Sequence, residues 1–534
     1  MSSERSERFA RLSRDGFDVL VVGGGATGTG IALEAASRGL KTALLERHDF
    51  SSGTSSRSTK LVHGGVRYLE QAVKHADRSQ FHLVREALRE RAILLRNAPH
   101  LAHPLALLTP IYGALELPYY FTGLKLYDML AGRANLQPSR LVNRDQAMER
   151  FPMLKQTGLK GAVEYHDGQF DDARMNVTLA LTAAREGALV LNYVGVTELT
   201  KAEGRVTGVV AQGALDGDPG PLEVRARVVV NATGPFVDEL RRLDEPGTDP
   251  ILETSSGIHI VLPSRFSPPG TGLLIPKTED GRVLFLLPWL GHTLVGTTDN
   301  PAPVEEDPPA SEADVEYILR HVRNYFDLPV ERADVSAAWS GLRPLVQQDA
   351  VGRVGGEDVT HHGAKRPQGG GTARISRDHT ILVSASGLVT VTGGKWTTYR
   401  RMAEDAVAVV VSHAELTPSR ESVTAHLELV GAAGFVEDGG APLAKEFGLA
   451  PDVAAHLARA YGDRAPAVAR LAADGLGARL APAHPYVEAE VVHARDHEFA
   501  HTADDVLRRR TRLGFLDEAA AEAARGRVEE LLRP

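Results

Sequence analysis

The sequence predicts an α/β fold: a parallel, nucleotide-binding type of sheet built from separated stretches of chain, joined to a second β-sheet region and followed by a helical C-terminal segment. Three observations predict it. A short β-branched run ends in a glycine-rich turn that opens an alanine-rich helix. Strand-then-glycine units recur at 17–28, 226–234 and 387–394. The last stretch of chain, past GAAGFVEDGGAP, is rich in Ala, Arg and Glu with helical periodicity.

Taken in order, residues 1–15 read as a polar tail. FDVLVVG (17–23) suits a buried parallel strand, because its β-branched side chains can face a core on both sides. IALEAASRG follows as a helix closed by Gly39, and KTALLE as the next strand, completing a βαβ unit. Phe81, Val84, Leu88 and Leu95 recur at helical spacing over 77–98, and Pro99 ends that helix. Residues 104–130 are rich in Leu, Tyr and Pro with few charges. Strands are expected over 189–230, around the turn-prone GALDGDPGP, and again over 251–300 (IHIVL, VLFLLPW, TLVGTTD). Ser311 caps a helix reaching Phe326. The glycine-rich stretch 351–373 reads as a mobile loop, LVTVTGG as a strand and turn, and WTTYRRMAEDAVAVVV as a helix.

The bulk numbers narrow the function. A chain of 534 residues has material for two to four domains of ~100–200 residues each. The formal net charge of −9 argues against a nucleic-acid binder. With no cysteine, disulfides, thiolate metal sites, iron–sulfur clusters and a cysteinyl flavin are excluded, so redox chemistry needs a bound cofactor; no metal site is expected. The N-terminus has no apolar core of a secretory signal, and no run approaches the ~20 apolar residues of a membrane span.

Gly23-Gly24-Gly25-Ala26-Thr27-Gly28 matches the dinucleotide fingerprint G-x-G-x-x-G. Gly23 allows the tight turn, Gly25 lets the backbone approach a pyrophosphate, and Gly28 lets helix pack on strand. Glu46, at the end of the second strand, is placed to accept from ribose hydroxyls and to repel a 2′-phosphate, which favours FAD or NAD over NADP. Asn231-Ala232-Thr233-Gly234 and Gly393-Gly394 supply two further close approaches. One nucleotide site fed by three distant segments implies a Rossmann-like FAD-binding fold of the glycine-oxidase type, with a β-sheet substrate domain and a C-terminal helical domain.

The segments TSSRSTKLVHGGVRYLE, VEYHDGQFDDARM, VNATGPFVD, WSGLRPL, TARISRDHTI, TGGKWTTYRRMAEDA and ADDVLRRRTRLGF make the chain similar to the FAD-dependent, respiratory glycerol-3-phosphate dehydrogenases over nearly its whole length. No EF-hand ligand pattern occurs late in the chain, which points to a bacterial-type member. The resemblance implies oxidation of sn-glycerol 3-phosphate to dihydroxyacetone phosphate, with hydride passing from C2 to flavin N5 and electrons to a membrane quinone. It places Arg67, Tyr68, Arg343, Arg377 and Lys395 around the substrate. Such a cationic set suits a phosphate dianion, since burying unpaired charge is costly and Arg offers a bidentate fork. His259 is the candidate base, or a core histidine of an apolar strand; Arg343 is the alternative stabiliser of the developing alkoxide. For the cofactor, the Ser51–Thr59 cluster (Ser52, Thr54, Ser55, Ser58) is expected at the pyrophosphate and flavin edge. His63 is expected beside the flavin, with Gly234, Gly394, Lys395 and Thr397 near it. The expected domains are 16–100, 155–245 and 335–412 for FAD, 101–154 and 246–334 for a substrate cap, and 420–534 for a helical domain. A homodimer in the cytoplasm, peripheral on the inner membrane, is expected. Residues 104–130 suit membrane contact and the core of a cap equally, and Arg508–Arg510 with Arg512 read as a lipid-attracting run or a solvated helix face. An oxidase giving electrons to oxygen and an amino-acid oxidase of the same fold are the alternatives.

Overall fold

The computed structural model describes residues 3–65, 69, 78–113, 116–276, 278–279, 281–347, 358–361 and 379–533. β1 (Phe17–Val22) is buried at five of its six positions and pairs in parallel with β2 (Thr42–Leu45) on one side. On the other it pairs in parallel with β10 (Leu222–Asn231). The helix Ala26–Ser37 joins β1 to β2 and buries nearly every residue, which is why it is built from Ala, Gly and Ile rather than from an amphipathic pattern. The sheet continues as β7 (Leu189–Leu191) beyond β2. Beyond β10 come β19 (Val389–Gly393), β18 (His379–Val383) and β17 (Asp358–His361). β8 (Val194–Ala202) and β9 (Arg205–Gly213) form a hairpin attached to β10.

A second, mixed sheet runs β15 (Asn300–Pro301), β11 (Leu252–Pro263), β14 (His292–Gly296), β13 (Leu284–Trp289), β12 (Thr271–Ile275), β4 (Ala102–Ile111), β6 (Gly161–Phe170), β3 (Leu61–Val62). β16 (Ala337–Val346) pairs with β11 and β5 (Arg140–Asn143) with β6. The helix Glu312–Tyr325, capped by Ser311 as expected, packs on one face of this sheet; Phe515, Leu516 and Val528 of the C-terminal domain share a core with Trp289 and Trp339 of the other.

Several boundaries differ from the sequence reading. Within the expected polar tail, Ser3–Arg14 is a helix whose Phe9 and Leu12 are buried, tied down by Arg5 to Asp218 at 2.7 Å. β6, placed with the FAD domain, belongs to the second sheet, as do β3 and β16. The glycine-rich 351–373 lies outside the described residues apart from β17.

Candidate active site

Because β1, β2, β10 and β19 are parallel, Val22, Leu45, Asn231 and Gly393 open on one edge. The chain leaves β1 toward β2 on one side and returns as β10 on the other. Such a switch point is where open parallel sheets form their ligand crevice. A cavity of about 2010 Å³ fills it, walled on the far side by the second sheet. That exceeds the ~300–1,000 Å³ of a pocket for one drug-sized ligand, leaving room for a dinucleotide and a second reactant.

The glycine turn is set by contact. Gly23 has φ 111°, and a Cβ there would lie 2.5 Å from the Ala232 carbonyl oxygen; a Cβ on Gly28 would collide with the Gly23 carbonyl. Gly28 thus packs the turn, while Gly23, Gly25 and Ala26 face the cavity at the helix N-terminus, where unpaired N–H groups and the helix dipole favour an anion. Ser55 Oγ already accepts from Ala26 N at 2.9 Å. Glu46 also lines the cavity; its Oε2 accepts from Gly24 N (2.5 Å) and its Oε1 from His48 N (2.8 Å), and burial pushes its carboxyl up against those two bonds.

Ser52 and Thr54 line the same wall, Thr54 donating to the Leu342 carbonyl at 2.7 Å. Ser58 reaches the cavity, but its hydroxyl donates to Asp172 Oδ2 (2.8 Å) and accepts from Lys60 N (3.0 Å). That hydroxyl therefore also holds the loop in place. The third segment arrives from β19: Gly394 has φ 70°, Thr397 Oγ1 accepts from His63 N at 3.3 Å, and Trp396 Nε1 donates to the Ser55 carbonyl at 2.9 Å. Gly234, His63, Gly394, Lys395 and Thr397 all line the cavity.

His259 and Arg343 come from the second sheet, where β11 and β16 pair His259 with Trp339 and Ser255 with Arg343. Arg343 Nη2 donates to Thr297 Oγ1 (3.1 Å) and the Thr298 carbonyl (3.0 Å), and Nη1 meets Asp299 Oδ1 at 3.3 Å. Gly257 makes the notch: a Cβ there would lie 2.6 Å from both Arg343 Nη1 and Thr297 Oγ1. His259 is 2% exposed, its Nε2 lies 3.0 Å from Thr59 Oγ1 and its ring stacks on Trp339. Burial first, then the charges of Lys60 and Arg343, hold its pKa well below the ordinary histidine value, so the ring is neutral.

Of the five groups expected around the substrate, Arg343 and Lys395 share this cavity; Arg67, Tyr68 and Arg377 lie outside the described residues. Sequence reasoning included Thr59 in the hydroxyl cluster expected at the cofactor but not as a partner of His259, and it missed Gly257 and the Thr297-Thr298-Asp299 turn. The last carried a signal, since three polar residues directly follow the apolar strand TLVG.

The geometry defines a two-sheet dinucleotide oxidoreductase: one sheet cradles the cofactor, and the other presents polar groups at its far end. Comparison with known proteins narrows the class. The family described as "FAD dependent oxidoreductase" matches residues 18–400, and "C-terminal domain of alpha-glycerophosphate oxidase" matches 422–534. The mitochondrial glycerol-3-phosphate dehydrogenase of Bos taurus is 48% identical, covering 97% of this chain and 70% of its own length. That of Arabidopsis thaliana is 45% identical, covering 99% and 85%. The structure of glycerol-3-phosphate dehydrogenase from Bacillus halodurans complexed with FAD superposes with a TM-score of 0.77 at 30% identity, covering 99% of this chain and 93% of the other. The chain therefore belongs to the FAD-dependent oxidoreductase family and, within it, to the glycerol-3-phosphate dehydrogenases. FAD is its cofactor, and the residues fit it: a carboxylate at the end of β2, helix N–H groups at the glycine turn, and small residues at Ala232 and Gly234 where the chain passes the cavity.

Proposed function

We propose that this chain oxidises sn-glycerol 3-phosphate to dihydroxyacetone phosphate at the second-sheet end of the cavity, with hydride passing from C2 to flavin N5 and the electrons on to a membrane quinone. Bound FAD supplies the two-electron acceptor. The observation that carries the reading is Arg343, held on the cavity wall by Thr297, Thr298 and Asp299, beside a neutral His259 and in one cavity with Lys395. Arg343 and Lys395 bind the phosphate or the reacting oxygen, and the family resemblance adds Arg67, Tyr68 and Arg377. Asp299 keeps the Arg343 charge paired before substrate arrives. His259, neutral, is in the state that accepts the C2 hydroxyl proton. Its depressed pKa makes it a weak base, so the nearby Arg343 charge, stabilising the developing oxyanion, carries the larger share.

The acceptor reading is supported by the apolar side chains Leu83, Ala87, Tyr119, Tyr120, Leu124 and Leu126 on the cavity lining, interleaved with Gln80, Glu86 and Thr122. Tyr119 (49%) and Met129 (76%) of the helix Glu116–Ala131 are exposed, which fits peripheral contact with a membrane at its cytoplasmic face. Among the described residues no helix is long and apolar enough to cross one. Turnover with glycerol 3-phosphate and a short-chain quinone, with dihydroxyacetone phosphate and peroxide both quantified, tests the proposal. Product without peroxide is expected. Peroxide equal to product, with quinone unused, replaces the acceptor by oxygen; no product with either removes the substrate.

A further inference from the structure

The basic run near the C-terminus is neither lipid-facing nor a solvated helix face beyond Arg508. Arg509 Nε and Arg510 Nη1 both donate to Asp49 Oδ2, at 2.6 and 2.7 Å, and Arg510 Nη2 donates to Asp49 Oδ1 at 3.0 Å. Asp49 lies in the loop that begins at Glu46 and runs along the cavity. Arg512 goes deeper. It is 0% exposed, and its Nη2 donates to the Ser56 carbonyl (2.8 Å) and to Asp172 Oδ1 (3.2 Å), while its Nη1 donates to the Arg508 carbonyl (2.9 Å). Lys60 reaches the same two groups from the other side: Nζ donates to the Ser56 carbonyl and to Asp172 Oδ2, each at 2.7 Å.

Two buried basic groups converge on the Asp172 carboxylate; Asp171 Oδ1 adds negative charge 3.8 Å from Arg512 Nε, and burial pulls the Lys60 ammonium down to about 7, so only part of the positive charge is left for other partners. Aromatic faces take part of it: the Arg512 guanidinium lies 4.4 Å from the centre of Phe515 and 5.5 Å from that of Trp289, and Lys60 Nζ lies 5.3 Å from Trp289 and 5.4 Å from Trp339. Both Lys60 (φ 63°) and Arg512 (φ 67°) hold left-handed backbone, which persists in non-glycine residues where surrounding bonds over-determine it. Asp172 Oδ2 also accepts from Ser58 N (3.0 Å) and Ser58 Oγ (2.8 Å). The next residue, Thr59, carries the hydroxyl that faces His259 Nε2. His259 Nδ1 has no hydrogen-bond partner among the described residues, so Thr59 and the Trp339 stack set the ring.

We infer that Arg512 is a positioning residue of the reaction: by tying the Ser56 carbonyl and the Asp172 carboxylate to the C-terminal domain, it fixes the Ser58–Lys60 turn and so holds the Thr59 hydroxyl on His259. This rests on the reading of His259 as proton acceptor. It gives the C-terminal domain a task at the active site although Arg512 itself does not line the cavity. The guanidinium fork suits the task, since it spans the Ser56 carbonyl of the loop, the Asp172 carboxylate at the start of the helix Asp172–Arg185 and the Arg508 carbonyl of its own domain; an ammonium cannot reproduce that span.

The test is anaerobic stopped-flow reduction of the FAD-loaded enzyme by glycerol 3-phosphate, separating the limiting rate from the half-saturating concentration. Arg512→Met is expected to lower the limiting rate by about tenfold or more with half-saturation within about twofold, the signature of lost transition-state geometry rather than lost binding. Arg512→Lys is expected to recover part of the rate. Thr59→Val is expected to slow reduction to a similar degree, and the double variant to add little, because the residues act as one unit. If Arg512→Met fails to hold FAD, Arg512→Lys combined with Thr59→Val carries the same non-additivity test. A wild-type limiting rate in FAD-loaded Arg512→Met, or effects that multiply in the double variant, would overturn the inference. His259→Asn separates the two levels. A full rate there removes the proton-acceptor reading itself; a slow rate alongside an unaffected Arg512 variant overturns only the positioning.

Discussion

Arg343, on the cavity wall, keeps 22% of its side chain exposed and meets Asp299 at 3.3 Å. Arg510, behind the loop that lines the cavity, is 0% exposed and binds Asp49 at 2.7 and 3.0 Å. Both are arginines beside a carboxylate, and both sit in motifs that stand out in the sequence. The difference lies in burial and in how closely the carboxylate is held. Arg510 places its guanidinium in a bidentate grip with the Glu498 carbonyl adding a further bond at 2.6 Å, a geometry that holds domains together. Arg343 has a looser ion pair and an accessible face, the condition for exchanging part of its partnership with an incoming phosphate or oxyanion. An arginine-rich motif thus speaks for function only when its carboxylates leave the guanidinium accessible.

Substitutions can break this comparison. Arg343→Ala should cut kcat/KM by about 10²–10³, ~3–4 kcal/mol of transition-state stabilisation, while unfolding free energy changes by under about 1 kcal/mol. Steady-state kinetics with urea unfolding checks both halves. Arg510→Met should do the reverse. Leaving Asp49 with the Arg509 guanidinium and the Asn192 amide should cost about 3 kcal/mol of stability, read from the urea midpoint, whereas the fraction still folded and FAD-loaded turns over within a few-fold of wild type. Equal losses of stability in the two variants would erase the distinction.

Glu46→Gln sharpens the contrast at the cofactor end. A neutral amide in place of the carboxylate weakens the acceptor that Glu46 offers to the cavity, and FAD affinity should fall about tenfold, ~1.4 kcal/mol, measured by flavin fluorescence on dilution. The smallest effect at neutral pH involves buried histidines. Burial is the main cause that pulls His100 down to about 3, and His493 and His501 down to about 4. Below pH 6.5 the unfolded chain takes up protons that the folded chain refuses. Stability is therefore undiminished above pH 6.5 and falls as pH drops toward 4, by about 1.4 kcal/mol per pH unit for each such group. His100→Gln should flatten that slope in a pH series of unfolding curves and leave pH 8 stability slope unchanged.

The cofactor half of the site was legible because its demands are local. A turn that puts Gly28 against the Gly23 carbonyl can be read from the spacing of glycines, and so can the ends of β10 and β19. What depended on distant partners was not legible. Nothing near Arg5 announces Asp218, and nothing near Arg510 announces Asp49, so a packed helix read as a tail and a buried clamp read as a solvated face. Ser58 belongs with these: its composition suits a cofactor contact, but Asp172, far along the chain, takes its hydroxyl. The membership of β6 and β16 in the second sheet was not legible for the same reason, because a strand's apolar pattern records that it is buried and not beside which neighbour.

Anaerobic titration of the FAD-loaded protein with glycerol 3-phosphate tests the central claim most directly. Bleaching of the visible flavin band, complete with about one equivalent of dihydroxyacetone phosphate formed per flavin, is the predicted result. A band that stays at full height at saturating glycerol 3-phosphate would contradict it.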